Sequence, residues 1–354
     1  MNTAAAQRNG LQHLTIGRTI RAVRMESAYL AATVLLDQGG DILELIHKPT
    51  AIDVLWKVPY PLREPGVGPT PAGDSYTQWM HYYRGGWQTI FPNFGPAVMF
   101  RGALLDFHGE AARRPWRLES EGDGEIEIST ELACLPFSLH RRISLSAVRP
   151  ELIMEETIAN SAQTSLECMW AHHPVFGAPL LSPQSRIFTG AQVIHTDETY
   201  DVPGNDLLLG GIFEWPFAVS RSGNRVDLSH IPAAGSGFSR VVFLKQFANP
   251  WCAISNPAIP LGVALCWSGE LMPYMCLWQE TGGERDFPHF AKTYTTALEP
   301  ATSLFGHGLL DAIENTRTQL TLKPGETRTL HLKAVLFEDG RPVRNMNAEG
   351  VVEF

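Results

Sequence analysis

Hydrophobic and polar positions alternate with a period of two over several stretches of the chain. Glu125-Ile126-Glu127-Ile128 and Leu330-His331-Leu332-Lys333 are two of them. A period of two sends successive side chains to opposite faces, so such segments predict strands with one buried and one wet face. Short runs rich in β-branched or aromatic residues at 32–36, 138–146, 152–158, 240–244 and 261–266 add further strand signals. The chain has 25 prolines and 31 glycines, too many breaks for long helices. No window shows a convincing amphipathic helix, and no strand–helix alternation suggests a parallel α/β sheet. The pattern predicts an all-β fold built as one large antiparallel domain.

The Pro- and Gly-rich segment 63–75 reads as a long loop between strands. The stretch 320–337 reads as a turn at Pro324-Gly325 followed by an alternating strand, which predicts the last hairpin of the sheet. With no clean linker and no fixed-period repeat, residues 1–354 are expected to form one domain, with a core over about 25–340.

Composition narrows the function classes. Hydrophobic residues make up 44% of the 354 residues and charged residues 18%, which allows a substantial core and argues against global disorder. The net charge is −9 and no basic stripe is present, so nucleic acid is not an expected partner. No stretch has the roughly 18 apolar residues of a membrane span, and residues 1–10 lack the apolar region of a secretory signal. The five cysteines, Cys134, Cys168, Cys252, Cys266 and Cys276, show no C-x-x-C or zinc spacing. They read as reduced, mostly buried thiols in a cytoplasmic protein.

Candidate chemistry concentrates in three segments. Residues 85–110 end in His108-Gly109-Glu110, residues 170–177 read WAHHPVFG, and residues 277–303 carry Trp278-Gln279-Glu280 and Leu298-Glu299-Pro300. These segments resemble the galactose mutarotase (aldose 1-epimerase) superfamily. The resemblance runs in order through 38–45, Asp53-Val54-Leu55-Trp56, Gly85-Gly86, Pro92-Asn93-Phe94-Gly95, His108-Gly109 with Trp116, His173-Pro174-Val175-Phe176 and Glu299-Pro300. It covers about residues 30–337 and implies the galactose mutarotase-like supersandwich.

The implied activity is that of an isomerase, a cofactor-free aldose 1-epimerase. Opening and reclosing a hemiacetal requires one group to take the proton of the anomeric hydroxyl and another to protonate the ring oxygen; a carboxylate and an imidazole suit these tasks. By resemblance, Glu299 is the general base, His173 the general acid, and His108 a hydrogen-bond partner of a hydroxyl or of the ring oxygen. Trp87 and Trp278 are candidate aromatic walls for the apolar faces of a sugar. Arg84, Gln88, Asn93 and Glu280 are further candidates for substrate binding. No cofactor and no metal are implied. The implied partner is a small-molecule carbohydrate, with no membrane partner and with a homodimer as the assembly. Gly86-Trp87-Gln88-Thr89 stands where well-studied aldose 1-epimerases carry an Asn-Arg pair.

Plainer readings stand beside these. His172 and His173 are adjacent, so on a strand only one of them faces a given cleft. Trp87 and Trp278 also read as core packing. Glu280, Glu284 and Asp286 read as solvated loop charge, and His81, His289 and His307 have no metal-binding spacing. Four alternative functions stand beside the epimerase reading. A non-catalytic carbohydrate-binding or sensor protein would keep the cleft without the chemistry. A hexose-phosphate epimerase would draw on Arg84, Arg101, Arg113 or Arg114. A lyase would need a base such as Tyr82, Tyr83 or Tyr274, and an inverting hydrolase would need a second carboxylate opposite Glu299.

Overall fold

The computed structural model describes residues 10–59, 64 and 73–354. Residues 1–9 and most of the expected loop over 63–75 lie outside the described residues.

The predicted all-β sandwich forms. Eighteen strands join in one sheet system, with four two-stranded sheets beside it. The long ladders are antiparallel, including Phe137–Leu145 on Glu151–Asn160 and Glu151–Asn160 on Thr327–Phe337. Strand Glu125–Glu131 shows the expected alternation, burying Ile126, Ile128 and Thr130 and leaving its glutamates wetter. Strands Leu30–Leu35 and Leu261–Trp267 are buried along their whole length and do not alternate. Both of their faces are covered, so neither needs a polar side.

Two expectations are corrected. Residues 320–337 do not form a hairpin. Leu320–Leu322 pairs with Leu166–Cys168 in a small sheet, while Thr327–Phe337 inserts between Glu151–Asn160 and Leu261–Trp267. A turn signal sets a change of direction, but the tertiary partner is chosen by which apolar face needs cover. There is also a helix, Ser75–Tyr82, where no helical window was expected. It is short, and its signal is the N-cap: the Asp74 carboxylate accepts the Thr77 N–H at 2.7 Å. The helix buries Trp79 and Met80 and hands the chain on to buried Tyr83.

Behind strand Ala171–Phe176 lies a buried polar network. Arg141 donates to the Glu156 carboxylate, to Thr89 Oγ1 and to the Gly40 carbonyl, and stacks 4.4 Å over Trp116. Trp170 Nε1 donates to Glu156 at 2.9 Å. Burial alone would raise the Glu156 pKa, but the Arg141 charge outweighs it and brings the carboxyl down to about 2. His172 faces this network: its Nδ1 accepts from Trp87 Nε1 at 3.2 Å and its Nε2 lies 3.5 Å from Glu156. The five cysteines are unpaired, four of them buried. Among the described residues, no helix is long and apolar enough to cross a membrane.

Candidate active site

Four neighbouring strands build one wall of a cavity of about 660 Å³. Strand Tyr294–Ala301 lies between Ala171–Phe176 and Tyr274–Thr281. The register Ala171↔Ala301 and Val175↔Ala297 sets Glu299 opposite His173, and Cys276 pairs with Glu299 on the other side. Phe243, on Ser239–Asn256, pairs in turn with Cys276. Residues in such a row share a face, and all four line the cavity.

His173 Nε2 lies 3.5 Å from Glu299 Oε1, at the limit of a hydrogen bond. Among the described residues, His173 Nδ1 meets no hydrogen-bond partner. Burial pushes the His173 pKa down to about 3 and holds the Glu299 carboxyl well above the usual carboxylate range. Burial thus favours the neutral form of both groups. The Tyr83 ring meets His173 edge-on at 5.7 Å and Trp278 stacks on it at 6.2 Å.

His108 sits in a turn at φ +55°, uncommon for a residue other than glycine. Its Nδ1 accepts the Gly95 N–H at 3.1 Å and its own N–H donates to the Gly95 carbonyl at 3.0 Å. With Nδ1 an acceptor, the proton of the neutral ring is on Nε2. The ring centre lies 6.2 Å from that of His173, and burial and His173 together hold the His108 pKa well below the usual imidazole value.

Gly95 is required where it stands. Its φ is +95°, and a Cβ there would lie 1.7 Å from the Gly306 carbonyl oxygen. The turns carrying His108 and His307 thus meet at this glycine. Asn93 ties them together: Nδ2 donates to the Pro96 and Asp106 carbonyls at 2.8 and 3.0 Å, and Oδ1 accepts the Leu309 N–H at 2.8 Å.

A second wall carries polar groups of its own. His307 Nε2 lies 2.9 Å from both Asp197 carboxylate oxygens and from Thr199 Oγ1. Its Nδ1 is 3.7 Å from Asp311 Oδ2. Burial opposes protonation of His307, but the Asp197 hydrogen bond and charge prevail and raise its pKa. Tyr200 donates to Glu284 Oε1 at 2.8 Å, and Glu284 Oε2 lies 3.7 Å from His289 Nε2. All of these residues line the cavity.

Of the residues singled out in the sequence, the structure brings Glu299, His173, His108 and Trp278 together around this cavity. The other five lie outside its wall. Trp87 is buried against His172, on the far side of the strand from His173. Gln88 stands in the row of His173, but its amide donates to Asp41 at 2.7 Å. Arg84 donates to Gln38 at 3.0 Å. Asn93 is the staple just described. Glu280 is buried and accepts the Gly282 and Gly283 N–H groups at 2.8 and 2.7 Å, which shapes the turn carrying Glu284. In each case a local polar partner has claimed the side chain, which its residue type does not reveal.

Sequence reasoning missed His307, His289, Asp197, Glu284 and Tyr200 as cavity residues. Phe305-Gly306-His307-Gly308, whose glycines permit close loop packing, was the available signal. Among the described residues no lysine or arginine lines the cavity, and no group of three or more His, Cys, Asp or Glu side chains is arranged to hold a metal.

A family profile described as "Domain of unknown function (DUF4432)" matches residues 17–206. No curated protein sequence matches the chain. Among solved structures, the chain is similar to a protein from Klebsiella pneumoniae subsp. pneumoniae provisionally named an aldose 1-epimerase, at 15% identity over 94% of this chain and 84% of that one, with a TM-score of 0.70. A galactose mutarotase-like protein from Clostridium acetobutylicum is similar at 14% identity over 94% and 99% of the two chains, with a TM-score of 0.66. Another galactose mutarotase-like protein, from Lactobacillus casei, is similar at 17% identity over 93% and 100%, with a TM-score of 0.60. At these identities the likeness shows the fold, which is that of galactose mutarotase-like proteins.

Proposed function

The chain belongs to the DUF4432 family, and from the geometry of its cavity we propose that it is a cofactor-free aldose 1-epimerase acting on the anomeric centre of a reducing sugar. The observation that carries this reading is the His173–Glu299 pair, 3.5 Å apart on one face of the sheet with His108 beside it. Ring opening moves one proton off the anomeric hydroxyl and delivers one to the ring oxygen, and closure on the other face reverses both. A pair holding one exchangeable proton suffices, because each transfer restores what the next one needs. With Glu299 as base and His173 as acid, the proton first moves from the carboxyl to the imidazole when hydroxyl groups of the sugar solvate the carboxylate. His108 Nε2–H donates to a hydroxyl or to the ring oxygen. Trp278 and Tyr83 offer flat apolar faces to the ring. Five unpaired thiols suit a reducing compartment, which supports a cytoplasmic location.

The test is NMR saturation exchange between α and β anomers over a panel of hexoses, pentoses, uronic acids and sugar phosphates. Exchange above the buffer rate with at least one sugar is expected. Binding without acceleration would reduce the protein to a carbohydrate-binding module, and silence across the panel would overturn the reading. A glycoside hydrolase is the second reading. It is favoured by the protonated Glu299 and by the carboxylates Asp197, Glu284 and Asp311 on the other walls. It ranks lower because Asp197 is committed to His307 and Glu284 to Tyr200. Release of alcohol from aryl glycosides would promote it.

A further inference from the structure

Four imidazole–carboxylate pairs line the cavity, His307 belonging to two of them, and only one pair is needed to open a ring. Beyond His173–Glu299 at 3.5 Å stand His289–Glu284 and His307–Asp311, each 3.7 Å apart. That spacing is too long for a direct hydrogen bond and leaves a donor and an acceptor side by side. A hydroxyl group matches this arrangement: it donates to the carboxylate and accepts an imidazole N–H, from Nε2 of His289 and, in the imidazolium form that Asp197 favours, from Nδ1 of His307.

Both outer pairs are held firmly from behind. His289 Nδ1 meets Thr293 Oγ1 at 2.9 Å, and Glu284 Oε1 is fixed by Tyr200. His307 is anchored by Asp197 and Thr199 and stacks on Phe305 at 4.9 Å, with the rings nearly parallel at 11°. Phe305 adopts φ +65°, a strained conformation for a bulky residue. Strain of this kind persists only where the surroundings impose it, and here it delivers His307 to the cavity. One segment serves both pairs: Asp197 accepts the Thr199 and Tyr200 N–H groups, and the Tyr200 hydroxyl reaches Glu284.

Size and charge narrow the ligand. At about 660 Å³ the cavity falls within the roughly 300–1,000 Å³ of clefts that take ligands larger than one sugar ring. Carboxylates at Asp197, Glu284 and Asp311, with no lysine or arginine in the wall among the described residues, oppose a phosphate or uronate group. Arg84, Arg101, Arg113 and Arg114 all lie outside the wall.

We propose that the cavity binds an uncharged reducing saccharide of two rings, with the reducing ring at His173–Glu299 and the hydroxyls of the second ring at His307–Asp311 and His289–Glu284. This rests on the mutarotase reading. The test is calorimetric titration of the full chain with maltose, cellobiose and lactose and with their component glucose and galactose, alongside anomer exchange of the same sugars. At least one disaccharide should bind about tenfold tighter than its monosaccharides, the scale of one or two hydrogen bonds to charged groups. In His307→Ala, and in the milder Asp311→Asn, that ratio should collapse towards one. Exchange of monosaccharides together with equal affinities in the wild type would overturn the second-ring site and leave the mutarotase reading standing. A disaccharide preference that survives both substitutions would also overturn it. Neither binding nor exchange with any of the sugars would overturn both.

Discussion

His173 and Glu299 face each other across neighbouring antiparallel strands, with Nε2 and Oε1 3.5 Å apart. Burial favours the neutral form of both, lowering the His173 pKa and raising that of Glu299. The relationship is one of shared register. A one-residue slip of either strand would turn one partner to the opposite face of the sheet.

Glu299→Gln separates chemistry from stability. Glutamine has the shape of the protonated carboxyl that burial already favours, so the thermal midpoint should hold or rise. Anomer exchange should fall by about 10²–10⁴-fold, the usual worth of one positioned proton transfer. Exchange NMR and a melting curve on the same sample check both, and a variant that keeps its rate removes Glu299 from the chemistry.

The stability that His173 contributes should decline on acidification. The His173 pKa moves from 6.5 to about 3 on folding, so below about pH 6.5 the unfolded chain takes up a proton that the folded chain refuses. Its stabilising effect is complete above 6.5 and is lost as the pH falls towards 3. Glu299 is raised and runs the other way: its contribution is complete below 4.5 and is lost as the pH rises through the folded value. Urea unfolding at about pH 7 and about pH 5 should show acidification costing the wild type more than His173→Asn. Equal losses in the two would refute the assignment.

Gly95→Ala should be severe. The added carbon meets the Gly306 carbonyl oxygen at 1.7 Å, and the backbone sits at φ +95°. A loss of roughly 2–4 kcal/mol is expected from strain and displaced loops. Denaturant titration checks this, and a change under about 0.5 kcal/mol, ordinary for a surface site, would contradict the contact.

Glu156→Gln addresses the network behind the strand. It leaves Arg141 buried without its charge partner, which typically costs about 3–5 kcal/mol. Because His172 and not His173 faces this network, monosaccharide affinity of the folded fraction should change far less than stability. Calorimetric denaturation and sugar titration of the same preparation separate the two, and near-native stability would show that the ion pair is dispensable.

Much of the fold was legible. The alternation in Glu125–Glu131 marks a half-buried strand, because a period of two leaves little choice of face. Leu30–Leu35 shows no such pattern, since a strand covered on both sides is apolar throughout. The helix Ser75–Tyr82 was hidden for a different reason: a short helix packed under a cavity carries aromatic residues that also suit strands. The site was legible where a motif fixed a residue on a strand, as for His173 and Glu299. It was illegible where a side chain had two plausible partners. Gln88 shares the row of His173, yet its amide went to Asp41, and nothing in Gln88-Thr89 announces that. His307 and Asp197 are 110 positions apart, and only the folded loops bring them together.

The contact of Gly95 with Gly306 has a bearing on how this protein could be re-engineered. Because that abutment seats the reactive end and the far end of the groove together, lengthening residues 305–308 to admit another ligand would also shift His108. Segment 197–202 is no freer, since Asp197 and Thr199 hold His307 and Tyr200 holds Glu284.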